Sequence, residues 1–237
     1  GTPQVAVPKP EEFDREWYCR LSKSYKTFCK PAELSEALRM IHEDWGVKWN
    51  NISKELMLKK SSFATKVLDE YCQSCNNITA KLNHDDSAEP TYQIAFDNLA
   101  KAVELHAPTR GKADKLRWMD THRRRVGGGS SGSSRSPDGS FYIGRQKDPM
   151  WHDMSVVVEI KGSNEPKDSD TLRGQIIQGF IDMAESRPRR FSFGISLGNK
   201  GDIHVYVCFP DGIYYAHLGK LPLARSTEEF KPNERRV

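Results

Sequence analysis

The chain has 237 residues, 37% of them hydrophobic and 29% charged, with a formal net charge of +4. That length supports one large or two small domains with a sizeable core. Its apolar runs are only strand-length, which excludes a membrane-spanning helix, and so mild a positive charge does not by itself call for a polyanionic partner. No charged-then-apolar leader opens the chain, so no secretory signal is visible. The five cysteines, an odd number, read as reduced thiols and place the protein inside the cell, in nucleus or cytoplasm.

The first ten residues are proline-rich and read as an extended lead-in. Residues 11–30 carry Phe13, Trp17, Leu21, Tyr25 and Phe28 at helical spacing. Pro31 suits the first turn of a second helix over Ala32–Asp44, and further helical stretches follow at 52–58 and 62–77. Trp45 and Trp49 read as packing between them. Cys72-Gln-Ser-Cys75 has zinc-knuckle spacing, yet no second close pair follows, so one face of a helix is the simpler reading. Residues 1–82 are thus expected to form a helical N-terminal region without chemistry of its own, suited to packing or partner binding. Asn83–Pro90 is a polar hinge.

From position 90 the pattern changes. Thr91–His106 is an amphipathic helix, with Tyr92, Ala95, Phe96, Leu99, Val103 and Leu105 on its apolar side. Leu116–Asp120 is a strand candidate. Residues 127–134 are purely Gly and Ser, the composition of a flexible linker, and so uniform a run reads as an insertion replacing a longer natural loop. Then come a strand around Phe141–Ile143, a valine-rich strand over Ser155–Lys161, a helix over Thr171–Glu185, and strands at Phe191–Leu197, Ile203–Phe209 and Ile213–His217. Residues 224–237 are a charged, unpatterned tail. The order from 91 is helix, three strands, helix, three strands, which predicts an α/β (α+β) domain over 90–223 with a mixed sheet.

Val156-Val157-Val158 predicts a strand covered on both faces, at the middle of a sheet. Glu159 and Lys161 at its end need a reason, either a structural ion pair or a metal site with a neighbouring cation. Metal-assisted phosphodiester hydrolysis needs a second acid. Asp153 has the right parity, but six positions along a strand is roughly 20 Å at about 3.3 Å per residue, so it would need a turn near Trp151 and His152. Asp138 begins the preceding strand. If the two strands pair antiparallel, its position falls about 5 Å across the ladder from Glu159. Asp138 is preferred, although Pro137-Asp138-Gly139 also reads as an ordinary turn.

Pro137-Asp138, then Glu159-Ile160-Lys161, then a helix carrying Gln175 and Gln178 resembles the PD-(D/E)XK nuclease superfamily. The resemblance implies an αβββαβ core in which Asp138 and Glu159 bind Mg²⁺ or Mn²⁺. It also implies that Lys161 positions the hydrolytic water and that Gln175 or Gln178 assists from the helix. An extra acid from the first core helix would be Glu89 or Glu104.

Residues 90–237 are more narrowly similar to the domain that precedes fungal-type protein kinases and to related spore-killer (meiotic drive) proteins. The residues that carry this are Trp151–Lys161, Arg187–Leu197 and Ile203–Val207. A kinase domain is thereby implied as a partner in the parent protein; no Gly-rich phosphate loop, His-Arg-Asp or Asp-Phe-Gly is present in this chain. Nucleic acid, DNA rather than RNA, is the implied substrate, with Arg187, Arg189 and Arg190 as candidate phosphate contacts. The alternative is a catalytically inactive module of the same fold that binds a protein or regulates the kinase.

Overall fold

In the computed structural model the described residues are 10–25, 29–31, 63, 65–74, 89–107, 115–122, 126–128, 136–144, 148, 150–162, 166–198 and 201–221. The elements are α1 (Pro10–Ser24), β1 (Cys29–Pro31), α2 (Glu89–His106), β2 (Leu116–Asp120), β3 (Gly139–Ile143), β4 (Met154–Ile160), α3 (Pro166–Ser186), β5 (Ser192–Gly198), β6 (Asp202–Phe209) and β7 (Gly212–Lys220). Residues 65–74 are helical as well. From α2 onward the order is helix, three strands, helix, three strands, as the hydrophobic periods predict. Both α2 and α3 carry proline in the first turn, where its missing N–H costs nothing.

The strands form one mixed sheet in the order β1-β7-β6-β5-β4-β3-β2. β4 lies inside it, antiparallel to β3 and parallel to β5. Its valines are there because both faces are covered: Val157, Val158 and Ile160 are fully buried. On one face Val158 and Ile160 pack with Tyr92, Phe96 and Trp118 beneath α2. On the other, Val157 packs with Ile176, Phe180 and Met183 of α3 and Leu21 of α1.

The N-terminal region shares this core. Leu21 of α1 belongs to the α3-side cluster, Tyr71 to the α2-side cluster, and β1 pairs in parallel with β7. Residues 29–31 therefore lie in a strand where the periodicity suggested the end of a helix. Trp17, expected on the apolar stripe, is 47% exposed, and Leu105, expected on that of α2, is 59% exposed. The helices expected at 32–44 and 52–58, Trp45, Trp49, Cys75, most of the Gly/Ser stretch and the 224–237 tail lie outside the described residues. No helix among the described residues is long and apolar enough to cross a membrane.

Candidate functional site

Asp138 stands just before β3, at the point where β3 meets the end of β4. Gly139 pairs with Val158 in antiparallel register, so Asp138 falls beside Glu159 and Ile160. The carboxylate confirms the placement: its Oδ2 accepts a 2.6 Å hydrogen bond from the Ile160 backbone N–H. Neighbouring elements clamp the same segment. Thr121 Oγ1 donates to Pro137 O at 2.7 Å, Thr121 N donates to Asp138 O at 3.3 Å, and Gln93 of α2 reaches the same carbonyl at 3.4 Å. Pro137-Asp138-Gly139 is thus the entry to a strand, and the glycine has its own reason. A Cβ at Gly139 would lie 2.0 Å from the ring of Trp118, which fills that space while packing at a tilt against Phe141 and Phe96.

Glu159 is 1% exposed. A buried carboxylate needs positive or hydrogen-bonding company, and Lys161 supplies charge nearby. Because β4 ends at Ile160, Lys161 is released from strand alternation, and its Nζ reaches Glu89 at the start of α2, 3.1 Å away. Burial alone would lower the Lys161 pKa. The fields of Asp138, Glu89 and Glu159, with the Glu89 hydrogen bond, overcome that and hold it above the ordinary lysine value. One ammonium thus sits amid three carboxylates from α2, the β3 entry and β4.

His122, just after β2, completes the group. Its Nδ1 lies 2.9 Å from Asp138 Oδ1, and its backbone N–H donates to Asp120 Oδ1 at 3.0 Å. Glu89 and His122 also line a groove of about 690 Å³ that runs along α2 past Ile94 and Trp118. The cluster therefore borders this groove through Glu89 and His122.

The remaining sequence candidates fall in different places. Gln175 lies one helical turn before Gly179, where an added Cβ would come within 3.0 Å of the Val157 side chain. Since α3 runs back between the parallel strands β4 and β5, that puts Gln175 at the level of Glu159 on the α3 side. Gln178 faces α1 instead, accepting from Trp17 Nε1 at 3.3 Å and donating to Asp182 at 3.2 Å. Glu104 ties α2 to β2 through Arg117 and the Trp118 N–H. It is 15 positions from Glu89, or roughly 22 Å along a helix. Asp153 sits in a short 3-10 turn at the start of β4, at the opposite end of the strand from Glu159.

The arginine run is also at that opposite end. Arg189 donates to the carbonyls of Trp151, His152 and Met154, clasping the turn that leads into β4. Burial, and then Arg187 nearby, push its pKa below the usual arginine value, against the pull of Asp153. Arg187 and Arg190 are exposed beside it. The structure does not bring these three arginines to the acid cluster.

Sequence reasoning missed His122, which is 16 positions from Asp138 in a loop that no periodicity describes. The chain matches no family model, no curated protein and no solved structure in comparisons with known proteins.

The donor set is oxygen-rich, which suits a hard divalent cation. Among the described residues no three His, Cys, Asp or Glu side chains are grouped so as to close around an ion. Mg²⁺, however, is commonly held by one or two carboxylates together with water and substrate phosphate. Asp138 and Glu159 fit that requirement.

Proposed function

We propose that this is a divalent-metal-dependent nuclease-like domain that hydrolyses phosphodiester bonds, in DNA rather than RNA. The observation that carries the reading is the placement of Asp138 beside Glu159 and Ile160 at the carboxyl end of β4, with Lys161 paired to Glu89 next to them on the border of an open groove. A phosphodiester is an anion, and three carboxylates would repel it. Such a cluster suits that substrate only with a cation between them, which is the reason to assign Mg²⁺ or Mn²⁺ to Asp138 and Glu159.

When bound there, the ion supplies charge neutralisation and Lewis acidity toward the phosphoryl oxygens. The protein's own part is positional. The Ile160 N–H and His122 hold the two oxygens of Asp138 in fixed directions, a preorganised carboxylate. Lys161 stays an ammonium, being held protonated by its neighbours, and places positive charge where water attacks and charge accumulates. Glu89 keeps that ammonium aimed at the cluster. Gln175 flanks Glu159 from the helix side.

The second reading, an inactive module that binds a protein or serves an associated kinase, draws on the same contacts. Lys161 is already paired with Glu89, and Asp138 already has His122 and the Ile160 N–H as partners, without an ion. Water-proton relaxation during a Mn²⁺ titration, in the presence of a non-hydrolysable phosphorothioate strand, separates the two. The nuclease reading requires saturable binding in the wild type that is lost in Asp138→Asn and in Glu159→Gln. Equal relaxation in all three would leave the inactive module as the better account.

A further inference from the structure

A second polar cluster continues the row on which Glu159 lies. Across the sheet Glu159 pairs with Ser196, Ser196 with His204, and His204 with His217. The row two residues behind is Val157, Gly194, Tyr206 and Tyr215, of which Val157, Tyr206 and Tyr215 belong to the core under α3. The sheet therefore changes from core to Glu-Ser-His-His at the carboxyl ends of the parallel strands β4 and β5, the edge where sheets of this type receive ligands.

Over this row, beside the first half of α3, is a pocket of about 130 Å³ lined by Ser169, Arg173, Ser196, Asp202, His204 and Tyr206. That is room for a few waters or one tetrahedral oxyanion. Arg173 Nε is buried and makes no hydrogen bond. Its Nη1 is 3.7 Å from Asp170, and its guanidinium carbon lies 5.6 Å from the centre of the Tyr215 ring. The one carboxylate lining the pocket, Asp202, is 3.4 Å from His217 Nε2. The His217 ring in turn lies 4.9 Å from that of His204. Burial lowers the His204 pKa, and His217 and Arg173 lower it further against Asp202. The lining of this oxyanion-sized space thus combines a guanidinium that has an unsatisfied N–H, the imidazole of His204, and a carboxylate, Asp202, with His217 behind His204 and Asp202. A guanidinium is the side chain best shaped for phosphate.

We propose that this pocket binds a phosphate group of the nucleic-acid strand, next to the phosphodiester held at Glu159 and Lys161. Two strand spacings separate Glu159 from His204, about 10 Å in all, so one nucleic-acid strand laid across the carboxyl ends of β4 and β5 reaches both. This inference rests on the hydrolytic reading of Asp138 and Glu159, and the experiment below keeps the two apart.

Inorganic phosphate is titrated into the full chain in metal-free chloride buffer while the His204 ring resonances are followed by NMR. A saturable shift in the wild type, absent in Arg173→Gln, is expected. In EDTA, fluorescence anisotropy of a labelled DNA oligonucleotide should show binding weakened roughly ten- to hundredfold by Arg173→Gln, with partial recovery in Arg173→Lys. No His204 shift with phosphate in the wild type overturns the pocket, whatever the variants do. Phosphate binding without any effect of Arg173→Gln on DNA affinity overturns the assignment to a nucleic-acid strand and points to free phosphate. If phosphate and DNA bind through Arg173 but no DNA is cleaved with Mg²⁺, the pocket stands and hydrolysis fails. If cleavage proceeds with the same KM in Arg173→Gln, hydrolysis stands and the pocket fails.

Discussion

The side chain of Asp138 is hydrogen-bonded to the backbone N–H of Ile160 at 2.6 Å, so an acid at the mouth of one strand is fixed to the end of its antiparallel neighbour. This bond belongs both to the fold and to the site. It continues the β3–β4 ladder past its last backbone pair, and it points the other oxygen of the carboxylate at His122.

The first expectation concerns stability. Asp138→Ala leaves the buried Ile160 N–H without an acceptor and should cost about 1–3 kcal/mol. Asp138→Asn keeps an acceptor and should cost less. Urea denaturation of both variants measures this, and equal losses would mean that the bond contributes nothing.

Gly139→Ala drives a methyl group into the space occupied by the Trp118 ring, 2.0 Å from its nearest carbon. Overpacking of this kind costs about 1–3 kcal/mol. The double variant Gly139→Ala with Trp118→Leu should recover part of that loss relative to the sum of the singles. Strict additivity in the denaturation energies would show that the two sites do not touch.

Arg189→Ala should destabilise the protein by about 1–3 kcal/mol, since it removes the donor shared by the Trp151, His152 and Met154 carbonyls. DNA affinity should stay unchanged after correction for the folded fraction. A steeper loss of affinity than of stability would move the arginine run into the binding surface.

These cases show what the sequence made legible. The valine run placed β4 inside the sheet because only a strand covered on both faces tolerates three in succession. Antiparallel pairing then favoured Asp138 over Asp153 by simple reach. Glu89 was visible only as one of two helix acids, because its distance from Lys161 depends on where α2 begins. His122 was invisible, since a loop residue meets Asp138 through the path of the chain alone. The arginine run misled because its density suggests a phosphate site, whereas the Arg189 donors are spent on backbone carbonyls. The parallel pairing of β1 with β7 joins a three-residue strand to a segment far along the chain, which no local pattern reports.

His204 supplies a pH dependence. Its pKa is depressed in the folded protein, first by burial and then by His217 and Arg173. Above the ordinary value of 6.5 the imidazole is neutral whether the chain is folded or not, and His204 has no effect on stability. As the pH falls below it, the unfolded chain takes up the proton first, so stability drops until the depressed folded pKa is passed. In phosphate-free buffer His204→Gln should flatten the denaturation midpoint between pH 6.5 and the acid limb. An unchanged slope would show that this histidine is not the group responsible.

Hydrolysis at Asp138, Glu159 and Lys161 is tested most directly by cleavage itself. Wild type, Asp138→Asn, Glu159→Gln and Lys161→Met should be incubated with plasmid, linear and single-stranded DNA, and with RNA, in Mg²⁺ and in Mn²⁺. Wild type should cleave DNA in a reaction abolished by EDTA, and each variant should lose roughly a hundredfold or more in rate while remaining folded. Cleavage that is equal in all four proteins, or absent from the wild type in both metals, would contradict it.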